Sequence, residues 1–155
     1  MKPSYNKFVG NYKAITILVM SLMYVFVGIK HFTDPLYFIN ITPPQIQYKS
    51  TAVYFTGVLE ILGGLLILNR RTRKIGAYML IYLLIIVFPA NIYLYVSEVP
   101  QELLGISKLQ ALTRMPFQTP LILLAYWHSK ENHPKWVDYL SAAAFVPTIM
   151  YFFSL

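Results

Sequence analysis

Residues 75–97 are 23 consecutive positions without a charged side chain, and residues 50–69 are 20 positions broken only by Glu60. A helix needs roughly 20 apolar residues, at 1.5 Å rise each, to cross about 30 Å of hydrocarbon. Both runs are full spans on their own. Residues 14–29 add 16 uncharged positions between Lys13 and Lys30, enough for a third span if those lysines reach back to the headgroups. Residues 115–129 give 15, only about 22 Å of helix. That run spans if its helix starts near Ser107, which draws Arg114 into the membrane. The last run, residues 139–155, follows His133-Pro134-Lys135 and contains Pro147. Its 17 positions suit either a fifth span or a helix lying in the interface.

Composition closes the alternatives. Charged residues are 12% of the 155-residue chain and hydrophobic ones 57%. A water-facing domain carries roughly a quarter charged residues, so a soluble globular fold and a disordered chain are both excluded. The chain has no cysteine, hence no thiolate nucleophile, thiol relay or Cys-held metal centre. No repeat or linker divides it, and residues 1–155 read as a single membrane domain. Lys2, Lys7 and Lys13 ahead of the first apolar run resemble a signal-peptide n-region. However, Val27-Gly28-Ile29-Lys30-His31 offers no small-x-small cleavage site, so the run reads as a retained span.

The net charge of +7 is mostly an address. Three lysines precede the first span, and Arg70, Arg71, Arg73 and Lys74 crowd the short loop between the second and third. In the other connections acids offset the bases. The positive-inside bias then places the N-terminus and the basic loop in the cytoplasm. The expected location is a bacterial plasma membrane, with the lipid bilayer as partner and no role for nucleic acid. Trp127 with His128, and Trp136, read as a cytoplasmic aromatic belt.

With this orientation the strongly polar intramembrane residues fall between the midplane and the outer surface. Glu60 lies near the middle of the second span, and Asn91 about 7 Å to the outer side of the third span's centre. Arg114 and Gln118 share a face of the fourth at i,i+4 spacing. His31 closes the first span beside Lys30. A lone charge in hydrocarbon costs at least about 2.5–3.5 kcal/mol, so Glu60 is expected to pair with Arg114 or to be protonated. Gly57 and Gly64 flank Glu60 on its helical stripe and admit a neighbouring helix closely. Pro89 frees the carbonyl of Ile85 for another donor. The aromatic stretch from Phe32 to Pro44 is expected to cap an outward-facing pocket, making Tyr37 and Phe38 less accessible to water-borne labels than Lys49.

Five motifs in order resemble one known family: Gly28-Ile29-Lys30-His31-Phe32 with Pro35; residues 56–64, Thr-Gly-Val-Leu-Glu-Ile-Leu-Gly-Gly; Thr72-Arg73; Phe88-Pro89-Ala90-Asn91; and Arg114-Met115-Pro116-Phe117-Gln118. Over about residues 14–129 they look like the DoxX-like family of small four-span membrane proteins. The hydrophobic helix at about 136–155 lies outside that pattern. The resemblance implies an all-α four-helix bundle. It also implies association with oxidoreductase complexes, as in a small subunit of archaeal thiosulfate:quinone oxidoreductase. A more distant vertebrate relative, the assembly chaperone NACHO, implies help in building other membrane proteins.

These observations lead to an all-α integral membrane fold of four spans plus a fifth C-terminal hydrophobic helix. His31, Glu60, Asn91, Arg114 and Gln118 are the candidate ligand-binding residues, with His31 at the mouth. Glu60 serves as a ligand contact or proton carrier, or as half of a structural ion pair; the residues alone leave these open. His31 and Glu60 are too few for a metal, and no covalent cofactor is expected. The leading expectation is an accessory subunit holding a quinone- or lipid-like ligand. An intramembrane assembly factor with a membrane-protein partner is the second. Proton-coupled transport is the third, weakened by a single intramembrane carboxylate and no visible inverted repeat.

Overall fold

A computed structural model describes residues 3–153, with side chains over residues 10–152. Lys2 and the Lys7 side chain lie outside the described residues. The chain forms helices α1 (Pro3–Thr33), α2 (Pro35–Ile41), α3 (Lys49–Leu68), α4 (Arg73–Val96), α5 (Glu98–Leu104), α6 (Lys108–Ser129) and α7 (Lys135–Phe153). Among the described residues there is no strand. Three helical segments, Gly10–Thr33, Lys49–Leu68 and Arg73–Val96, are long and apolar enough to cross a membrane. α6, with 22 residues, is about 33 Å long but more polar.

The surface supports a lipid-facing reading. Leu22, Phe55, Ile86 and Met150 stand exposed on four different helices, whereas Met20, Leu80 and Leu124 are sealed inside. Large apolar side chains ringing a bundle belong against hydrocarbon rather than water.

Glycines set how closely the helices approach. A Cβ on Gly28 would lie 2.8 Å from the Gly57 carbonyl oxygen, and one on Gly57 would lie 2.6 Å from the His31 Cβ. α1 and α3 therefore touch backbone to backbone at this level. Ser21 Oγ donates to the Gly64 carbonyl at 2.7 Å two turns further along the same seam. Gly63 and Gly76 do the same for α3 against α4, where added Cβ atoms would meet Leu80 and the Ile67 nitrogen. Small residues are what permit such contact where no hydrophobic force drives helices together. α4 then packs on α6 and α6 on α7, which returns to touch α1.

Local signals explain the ends. α6 begins as the sequence suggested, with Ser107 and Gln110 forming a reciprocal capping box that satisfies two orphan donors. α5 ends at Gly105 in the left-handed conformation (φ 64°), and Gln101 Nε2 ties it to the Leu94 and Tyr95 carbonyls at the end of α4. α2 lies across the ends of the bundle, touching α1, α3, α4 and α5. Pro35 starts it and Pro43-Pro44 follow its end.

Candidate functional site

The close α1–α3 seam carries His31 onto Glu60. His31 Nδ1 lies 3.3 Å from Glu60 Oε2, with both side chains largely out of solvent. The same nitrogen is 3.0 Å from the Val27 carbonyl. A carbonyl only accepts, so Nδ1 carries the hydrogen and points it there. Glu60 Oε2 is thereby left buried without a hydrogen-bond partner. One helical segment away on the same seam, the Tyr24 hydroxyl is also buried and unpartnered. Buried polar atoms without partners are uncommon enough in proteins to call for an explanation.

The expected Glu60–Arg114 pair is not what the structure contains. Arg114 donates from Nη2 to the Tyr37 hydroxyl, and its guanidinium lies 5.5 Å from the centre of that ring. The physical reason lies in α2: its Tyr37 reaches Arg114, while Gly28 and Gly57 bring His31 within reach of Glu60. His31 is therefore a buried residue rather than an exposed mouth. The Phe38 ring covers it, stacked at 3.6 Å between centroids and 21° between planes.

Asn91 and Gln118 form a second group on α4 and α6. Asn91 Nδ2 donates to Gln118 Oε1 at 2.9 Å, and Gln118 Nε2 donates to the Leu84 carbonyl. The carbonyl that accepts from Gln118 is that of Leu84, one residue before the Ile85 carbonyl that Pro89 leaves without its helical donor. Gln118 is the joint of this network. Gln118→Leu is expected to lower bundle stability by about 1–3 kcal/mol, because it leaves the Asn91 amide without its acceptor and removes a second donor from the Leu84 carbonyl. Thermal unfolding of the purified variant in mild detergent measures this.

The five sequence candidates thus sit in two neighbourhoods, His31 with Glu60 and Asn91 with Gln118, while Arg114 is held by α2. None of the five lines the groove of about 240 Å³ formed by Pro43, Gln45, Pro89, Ile92, Tyr93 and Val96, whose walls are almost wholly apolar. Among the described residues no cluster of three or more His, Asp or Glu could hold a metal ion.

A further polar cluster lies at the opposite, basic end, and the sequence reading missed it. Trp127 and His128 are buried inside the bundle rather than forming a surface belt, whereas Trp136 is exposed. Trp127 Nε1 donates to Asp138 Oδ1 at 2.7 Å, and Lys13 Nζ lies 5.3 Å from the centre of the indole while donating to the Lys130 carbonyl at 2.5 Å. The Thr16 hydroxyl donates to the Lys13 carbonyl at 2.8 Å, so its remaining contact with His128 Nε2, at 3.0 Å, takes a hydrogen from the imidazole. His133, in the α6–α7 connection, donates to the Trp127 carbonyl at 2.9 Å. Burial first, then the charge of Lys13, hold its pKa below the ordinary histidine value. A tryptophan ending an apolar run suits a belt as well as a core, and only the reversal of α7 onto α6 distinguishes them.

Fold and seam together define an all-helical, membrane-type protein with buried polar groups at two levels. Residues 20–129 match the domain of unknown function DUF8561, and the chain belongs to that family. The match covers α2 to α6 and the C-terminal part of α1 from Met20; α7 lies beyond it. No curated protein and no solved structure matches the chain.

Proposed function

We propose that this chain is an accessory membrane protein that holds a small amphipathic molecule, quinone- or lipid-like, at the His31–Glu60 seam. The supporting observation is the unpartnered, buried Glu60 Oε2 beside His31. An intramembrane carboxylate is costly unless it pairs or serves a function. Asn91 and Gln118 form the neighbouring polar wall, and Arg114 with Tyr37 forms the polar edge beneath α2. In this reading α1, α3, α4 and α6 are the four spans and α7 is the fifth hydrophobic helix. The protein sits in a bacterial plasma membrane with its N-terminus in the cytoplasm. The resemblance to DoxX-like proteins supports a link to membrane redox chemistry.

Native mass spectrometry in mild detergent tests the reading. Wild-type protein is expected to carry a small molecule that Glu60→Gln loses. Bare protein in both samples would overturn the ligand reading and favour the assembly factor, whose mark is a client membrane protein retained in gentle-detergent pull-downs.

A further inference from the structure

We infer that the face of His31 now covered by Phe38 is a seat for a flat aromatic headgroup bearing an oxygen substituent, with Phe38 as its resident plug. This deepens the ligand reading above and rests on it.

The seat is built from three features. His31 presents one face to a planar ring at 3.6 Å and 21°, a parallel contact that favours flat over puckered occupants. Its ring is fixed in that orientation by the bond to the Val27 carbonyl. Glu60 Oε2 lies at the edge of the imidazole, buried and without a hydrogen-bond partner, so a ring hydroxyl placed there would donate to it.

The plug is lightly held. α2 is seven residues long, buries none of them, and its N-cap Asp34 makes no side-chain capping bond. Phe38 is half-buried, and Tyr37 meets it edge-on at 5.2 Å. A short connecting helix with no fully buried residue opens at lower cost than the long helices it joins. Lifting α2 would uncover the His31 face, at whose edge the Glu60 oxygen lies, and would release Tyr37 from Arg114.

Two probes differing only in flatness test this: 2-naphthol and decahydro-2-naphthol, by equilibrium dialysis against protein in nanodiscs with empty nanodiscs subtracted. Wild type is expected to bind 2-naphthol saturably and at least ten-fold more tightly than the saturated alcohol. Phe38→Ala, which vacates the seat, is expected to tighten 2-naphthol several-fold, and Phe38→Trp, a larger plug, to weaken it. Opposite shifts from two substitutions at one position would not arise from a general loss of fold. Equal binding of the two alcohols, or a 2-naphthol affinity indifferent to both Phe38 variants, would overturn the seat and leave the Glu60-dependent ligand of native mass spectrometry standing. No saturable binding of either probe also overturns it, whereas loss of the ligand reading itself is seen separately as bare wild-type protein in the mass spectrum.

Discussion

Replacing Gly28 by alanine is expected to destabilise the bundle by about 1–3 kcal/mol, the usual cost of overpacking a tight core. The added methyl would sit 2.8 Å from the Gly57 carbonyl oxygen and 3.0 Å from the Ile61 nitrogen. Both are backbone atoms of α3, so no side-chain rotation relieves the clash and the two helices must separate. Separation carries His31 away from Glu60 and loosens the Ser21–Gly64 bond along the same seam. Gly28→Leu is expected to be worse. Gly10 on the same helix is the control: nothing lies within 4 Å of its added Cβ, and Gly10→Ala should leave the melting midpoint unchanged or slightly higher. Near-UV circular dichroism melts in mild detergent compare the three variants. Equal midpoints for Gly28→Ala and wild type would mean that α1 and α3 are not in backbone contact.

Trp127→Ala is expected to cost about 3–5 kcal/mol, the range for deleting a buried aromatic side chain. The indole is fully buried and joins three helices at once: Lys13 of α1 lies over its face with Tyr12 of the same helix at 6.5 Å, Asp138 of α7 accepts from its nitrogen, and the residue itself belongs to α6. Trp127→Phe keeps most of the apolar body and removes the N–H. It is expected to cost about 1–3 kcal/mol, chiefly by leaving the Asp138 carboxylate without its donor. Asp138→Asn, which keeps an acceptor, is expected to be the mildest of the three. Denaturant titration followed by tryptophan fluorescence suits Asp138→Asn, because Trp127 is retained; circular dichroism serves the other two. If Trp127 were a belt residue at a membrane surface, its alanine variant would unfold with wild type.

Helix content and the three helices long and apolar enough to cross a membrane were legible because charge punctuates the chain at helical lengths. The start of α6 near Ser107 followed from the length a span needs, and the structure adds the capping box with Gln110 that fixes it. The glycines around Glu60 correctly marked a close approach. What they could not identify was the partner brought close, since Gly57 admits whichever helix the fold places there. His31 arrives from α1 because Gly28 opposes Gly57, a pairing that sequence spacing within one helix does not contain. Charge complementarity alone pointed to Arg114, but a tyrosine on the seven-residue α2 reaches that guanidinium instead. Depth along the helices, read from the fixed rise, put His31, Glu60, Asn91, Arg114 and Gln118 at one level, but depth carries no information on helix rotation, which sets His31 with Glu60 and Asn91 with Gln118. The basic-end cluster was invisible for the opposite reason. Lys13, Thr16, His128 and Asp138 come from three helices whose rotations decide whether they face lipid or one another.

The placement of the His31–Glu60 seam in the outer half of the membrane is tested most directly by single-cysteine labelling, for which a cysteine-free chain is ready-made. Gln45→Cys, in the exposed connection after α2, and Thr72→Cys, in the basic loop before α4, are treated in intact cells with a membrane-impermeant maleimide. Gln45→Cys is expected to react at once, and Thr72→Cys only after permeabilisation. Labelling of Thr72→Cys in intact cells, with Gln45→Cys protected, would invert the bundle and put the seam on the cytoplasmic side.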